Sequence, residues 1–145
     1  MTKIRKSIYL DTNVSIRFVE SEDADLLFLF EQAAADIVEL VTSEFTLAGV
    51  LVGPLRSGDA RLAGVYEDFL TSDNVLTVIP VDRTIMRKSA EIRARSSTKG
   101  PDALHVATAV ASGCHTFVSS DRRLQVPEEL VRLDLSDVQD IDRWL

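Results

Sequence analysis

The sequence predicts an α/β domain with a central, mostly parallel sheet and helices on both faces. Three observations lead there. Short apolar stretches of strand length recur at residues 7–10, 39–42, 76–81, 115–118 and 130–133. Longer segments of helical length separate most of them, and strands alternating with helices imply parallel neighbours joined by crossovers. Helix-start and helix-stop residues fall at the borders of those segments.

Taken in order, SIYL (residues 7–10) reads as a short buried strand. Residues 13–19 and 24–35 read as two helices, with Ser21, Glu22 and Asp23 as the start signal between them. A second strand covers 39–42. Ser43 is placed to cap a helix running toward Leu55, which Gly53-Pro54 is expected to break. Asp59 starts the next helix, through about Thr71, before strand 76–81. Asp82 caps a helix to about Arg95. Pro101 suits the first turn of a further helix, closed by Gly113. Strand 115–118 leads to Asp121, and 130–133 is a last strand.

A chain of 145 residues with no repeat, linker or low-complexity stretch is expected to form one domain, residues 1–145. It is 46% apolar and 27% charged, a composition ordinary for globular proteins, and has no apolar run long enough to span a membrane. The start MTKIRKSIYLD enters a strand too short for a signal-peptide core. The lone Cys114 has no partner for an internal disulfide, so a cytoplasmic protein is expected. The net charge of −7 argues against a protein that grips nucleic acid by overall charge. It leaves room for a metal-dependent nuclease, because such a site needs carboxylates and its ion brings positive charge. Arg17, Arg56, Arg122 and Arg123 lie near the candidate site and are candidate phosphate contacts, or else solvated surface side chains.

In doubly wound sheets, sites form beyond the carboxyl ends of the strands. Asp11 ends the first strand, Asp121 follows a later one, Asp102 opens a helix, and Glu44 opens another just after a strand. Carboxylates converging on one spot repel unless a cation neutralises them, and oxygen ligands suit Mg²⁺ or Mn²⁺. Such an ion can activate water and stabilise in-line displacement at phosphorus. Each acid also has a plainer reading: Asp11 as a helix cap, Asp102 as a first-turn acid favoured by the dipole, Asp121 as a turn starter. His105 lies within an apolar helix and His115 begins a strand, so both read as structural and not as catalysts of a metal-free cleavage.

The segments YLDTNV, PDALHVATA and FVSSDRRL, in that order, resemble the PIN-domain family, and most closely the VapC-like toxins of bacterial and archaeal toxin–antitoxin pairs. DALHVATA is the most specific of the three. The resemblance implies a PIN-like three-layer sandwich and a Mg²⁺- or Mn²⁺-dependent ribonuclease. It places Asp11, Asp102 and Asp121 on the family's acidic positions, and Asn13 and Ser119 on polar positions that orient the ligands. It also implies a cognate antitoxin, an RNA substrate and a homodimer. The apolar helix 24–34, ADLLFLFEQAA, is correspondingly either a core helix or one that pairs with another chain.

One position departs from the pattern. Where the family usually carries a glutamate, in a stretch like T-L-A-E-V-L, this chain reads TSEFTLAGVLVGPLR and has Gly49. Glu44 lies more than a turn earlier, so its side chain should point elsewhere; it reads as a first-turn acid before it reads as a substitute ligand. A mid-helix glycine costs about 1 kcal/mol relative to alanine. Gly49 therefore marks either close helix packing or a lost catalytic acid, and in the second case cleavage is weak until Gly49→Glu restores it. Two other readings stand beside the nuclease. One is a non-catalytic PIN-like module that binds RNA or protein. The other is a phospho-acceptor or hydrolase domain using Asp11, against which stand the placement of the four lysines and Asn13 where a second aspartate would be needed.

Overall fold

The computed structural model describes residues 5–71 and 75–145. Residues 1–4, read above as leading into the first strand, lie outside the described residues. Five strands form one sheet in the order β3-β2-β1-β4-β5, with β1 at Lys6–Leu10, β2 at Val38–Ser43, β3 at Leu76–Ile79, β4 at Thr116–Val118 and β5 at Val131–Leu133. Every pairing is parallel, with Ile8 opposite Leu40 on one side and opposite Thr116 on the other. A sheet of this kind is buried on both faces, and its strands read as continuous apolar runs.

The alternation of side chains sorts the core into two halves. Ile8, Leu10, Leu40 and Val118 face one way, against α1 (Thr12–Ser21), α2 (Ala24–Ala34), α3 (Phe45–Ser57) and α4 (Ala60–Thr71). Tyr9, Val41 and Phe117 face the other, against α5 (Arg83–Arg95) and α6 (Gly100–Ala111). The result is a three-layer sandwich. On α2, Leu26, Leu29 and Ala33 are buried while Leu27 stays exposed, so the helix serves the core with one face only.

Caps follow the sequence closely. Asp23 accepts from the amides of Asp25 and Leu26, Asp82 from Ile85, and Asp59 from Leu62. Ser43 Oγ accepts from Phe45 N at 3.0 Å, although the helix proper is preceded by Glu44. The expected break at Gly53-Pro54 does not occur. Helix α3 runs through the buried Pro54 to Ser57 and stops at Gly58, in the left-handed region at φ 71°. Proline removes one amide donor, but its carbonyl still accepts from Ser57 Oγ and Asp59 N, so the last turn closes on the far side of the ring. After β5 the chain adds a 3-10 turn at Leu135–Asp137 and α7 at Ile141–Trp144, neither anticipated; Trp144 is buried and its indole donates to Val138 O.

Strand order reverses between β1 and β4. From β1 the chain builds outward through β2 and β3, and later returns to the other flank for β4 and β5. The carboxyl ends of β1 and β4 therefore open the crevice where open α/β sheets hold their ligands.

Candidate active site

Asp11 and Asp121 follow the two strands that flank this crevice, and Asp102 comes to it on the first turn of α6. All three border one open cleft, together with Asn13, Gly49 and His105. Asp11 is 6% exposed and tightly held. Its Oδ1 accepts from Thr12 N at 2.8 Å, its Oδ2 accepts from Ser119 Oγ at 2.9 Å, and its backbone carbonyl starts α1 by accepting from Val14 and Ser15. Asp11 is thus both helix cap and cleft carboxylate.

Ser119 joins two of the acids. Its hydroxyl donates to Asp11 and accepts from Asp121 N at 3.1 Å, and the residue is fully buried. Asn13 Oδ1 accepts from Ser120 N at 3.4 Å, tying α1 to the same loop. Sequence reasoning missed the third brace, Arg132 on β5. Its guanidinium donates to the carbonyls of Asp121 and Ser119 and pairs with Asp134 at 2.9 Å. An arginine in a short edge strand gives no local signal of that role. Ser119→Ala would leave Asp11 Oδ2 and Asp121 N without their shared partner. It is expected to lower stability by about 1–3 kcal/mol in a denaturant melt, whereas an unchanged midpoint would contradict the bridge.

Electrostatics mark the acids as near neighbours. Partial burial, then the charges of Asp11 and Asp121, push the Asp102 carboxyl above the usual aspartate range, with Lys99 opposing them. A carboxyl raised in the folded state binds its proton more tightly there than in the unfolded chain. Ionised Asp102 therefore opposes folding above the unfolded aspartate pKa of about 4, and the penalty vanishes once pH falls below it. Asp102→Asn is expected to melt higher than the parent at neutral pH in chelator, with the difference closing below about pH 4. A variant that melts lower at neutral pH would contradict this repulsion.

Three carboxylates are a donor set for a hard divalent cation. Among the described residues, no three acidic, histidine or cysteine side chains already close on one ion position. An ion held between them would therefore have to keep part of its water shell, as Mg²⁺ usually does.

Much of the rest of the cleft lining is less polar, with Ile16, Phe45, Ala48, Gly49 and Pro101. Gly49 is held against α1: a Cβ built there would lie 2.7 Å from Thr12 Cγ2. Thr12 is fixed in turn. Its Oγ1 is 2.9 Å from His105 Nε2, and His105 Nδ1 is 2.6 Å from the Tyr9 hydroxyl. Burial lowers the His105 pKa and raises that of Tyr9, so the ring is neutral and the phenol keeps its proton. In either tautomer the ring ties Thr12 to the sheet. His105 therefore borders the cleft as a strut, and His115 lies elsewhere, beside Thr116 at the start of β4.

The remaining candidates do not gather. Glu44 is exposed, makes no capping bond and does not border the cleft. Arg17 pairs with Asp23 at 3.0 Å in a neighbouring depression that also holds Arg122. Arg56 lies exposed on the last turn of α3. Arg123 alone of the four stands by the acids, with its amide donating to Asp121 Oδ1.

Comparison with solved structures shows the same fold in several proteins. The DNA-bound VapBC of Salmonella typhimurium superposes with a TM-score of 0.75 at 21% identity, covering 91% of this chain and 99% of that one. VapBC2 of Rickettsia felis, bound to a promoter DNA fragment, gives 0.74 at 17% identity, over 88% and 98%. VapC20 of Mycobacterium tuberculosis, a Sarcin-Ricin loop cleaving toxin, gives 0.63 at 19%, over 80% and 91%. No curated relative matches the sequence. The PIN domain profile matches residues 8–130, from the first strand through the last of the three aspartates. The chain belongs to the PIN domain family.

Proposed function

We propose that the protein is a Mg²⁺- or Mn²⁺-dependent endoribonuclease, the toxin of a cytoplasmic toxin–antitoxin pair, with activity reduced by the glycine at position 49. The observation that carries this reading is the convergence of Asp11, Asp102 and Asp121, from three distant parts of the chain, on one cleft at the topological switch point. In this reading the three carboxylates hold the ion, directly or through its waters. A bound divalent ion activates water and stabilises charge at a phosphodiester. The chain's own contribution is position: Ser119 and Arg132 fix the loop that carries Asp121, and the cap fixes Asp11.

A protein partner belongs to the proposal. The Salmonella and Rickettsia relatives were solved as complexes, and this chain leaves Val52, Leu55 and Val65 exposed on the α3–α4 hairpin, an apolar surface for an antitoxin or a second copy. Among the described residues no helix is long and apolar enough to cross a bilayer.

Incubating the protein with structured RNA in Mn²⁺ and in chelator tests the reading. Metal-dependent endonucleolytic fragments support it. The Gly49–Thr12 contact favours one second reading, a PIN module that binds RNA or protein without cutting, and binding without cleavage under the same conditions would establish that instead.

A further inference from the structure

The cleft that holds the three acids is only partly carboxylate. Its volume is about 470 Å³, within the range of small-molecule sites, about 300 to 1,000 Å³. Ile16, Phe45, Ala48, Gly49 and Pro101 contribute an apolar stretch to its lining, and no lysine or arginine is among the lining residues. None of these five is buried. Three helix starts bring them to the acids. Ile16 lies one turn after Thr12 on α1, Phe45 opens α3, and Pro101 precedes Asp102 on α6.

Phe45 supplies a flat ring that is anchored but not covered. It packs against the cluster of Ile85, Leu104 and Ala107, and its centroid lies 5.4 Å from that of His105, tilted by 54°. One turn further along α3, Ala48 and Gly49 carry only a methyl and a hydrogen, so the helix presents no bulk there. A glutamate at position 49 would add a fourth charge to this stretch, and glycine leaves it apolar. Contiguous apolar surface beside a charged cluster marks a place where a ligand completes the packing. With no cation in the lining, this stretch gives a phosphate nothing to pair with. A nucleobase is the part of an RNA that suits a fixed ring, because every base has a π-face and unpaired bases stack on aromatic side chains.

We propose that Phe45 seats a nucleobase of the substrate, that of the nucleotide whose phosphate meets the ion. The proposal rests on the ribonuclease reading and adds a positioning contact to it. Stacking tolerates any base, so the ring orients the nucleotide at the acids without selecting its identity.

The test compares adenosine 5′-monophosphate, adenosine 3′-monophosphate and the base-free ribose 5-phosphate. Each is titrated in Mg²⁺ into the parent, Phe45→Leu and Phe45→Tyr, followed by amide NMR shifts, which also report whether each variant is folded. The parent is expected to bind one of the two nucleotides about tenfold more tightly than ribose 5-phosphate, the worth of stacking on one aromatic ring. Phe45→Leu is expected to lose that preference while binding ribose 5-phosphate like the parent, and Phe45→Tyr to keep it. A folded Phe45→Leu that retains the preference overturns the seat, as does a parent without one; the apolar stretch then belongs to a partner protein. Loss of ribose 5-phosphate binding in Phe45→Leu overturns it too, since the ring would then support the ion site and not a base. A parent that cuts RNA in Mn²⁺ but shows no preference loses the seat alone. One that neither cuts RNA nor binds nucleotide loses the ribonuclease reading with it.

Discussion

Asp11→Asn is expected to reduce Mn²⁺-dependent RNA cleavage by about 10²-fold or more, roughly 2.7 kcal/mol of transition-state stabilisation. The substitution keeps the shape and an oxygen to accept from Thr12 N, so α1 stays capped. What it removes is charge, together with the acceptor for the Ser119 hydroxyl, at the most buried and most firmly held of the three carboxylates. The loss of that contact is expected to cost about 1–3 kcal/mol of stability, and a melt showing a folded variant at the assay temperature separates it from one that merely unfolds. Cleavage within a few-fold of the parent would show that Asp11 serves as a cap and nothing more.

The second large effect concerns Gly49. A glutamate there must place its Cβ 2.7 Å from Thr12 Cγ2, closer than two carbons can sit. Turning Thr12 to clear the methyl would move Oγ1 away from His105 Nε2 and break the chain of contacts back to Tyr9. Gly49→Glu alone is therefore expected to cost about 1–3 kcal/mol of stability and to gain little activity. Thr12→Ser removes the methyl and keeps the hydroxyl, leaving the new Cβ at 3.4 Å from Oγ and 3.6 Å from Cβ of residue 12. The double variant Gly49→Glu/Thr12→Ser should recover the melting temperature lost by the single one. It should also raise metal-dependent cleavage at least about tenfold over the parent, about 1.4 kcal/mol off the barrier. If the double variant cleaves no better than the parent, the missing acid is not what limits the reaction. If Gly49→Glu alone melts like the parent, the contact with Thr12 is looser than described.

Much of the architecture was legible in the sequence for local reasons. The strand SIYL ending in an aspartate, the capping aspartates at 23, 59 and 82, and Pro101 at a first turn each carry their own signal, and strands alternating with helices dictate the parallel sheet. Asp11 and Asp121 could be assigned to one rim because each follows a strand. What the sequence concealed is long-range. Pro54 looked like a helix end, but burial of its ring and the Gly58 stop carry α3 one turn further. The turn and short helix after β5 are too brief to show a period, and they form because Leu135, Val138 and Trp144 cover the edge of the core. Gly49 posed two readings that only geometry joins: it is close packing, and the packed group is the methyl of a residue beside Asp11. Arg132 and Lys99 lie on elements with no motif, and become visible only once β5 stands beside β4 and the α5–α6 turn stands beside Asp102.

Calorimetric titration of Mn²⁺ into the parent, Asp11→Asn and Asp121→Asn addresses the shared ion itself, without reference to substrate. Saturable binding by the parent, weakened at least about tenfold in both variants, is the expected result, since each variant takes one charge from the same site. Equal Mn²⁺ affinity in all three proteins would mean that these carboxylates do not serve a common ion.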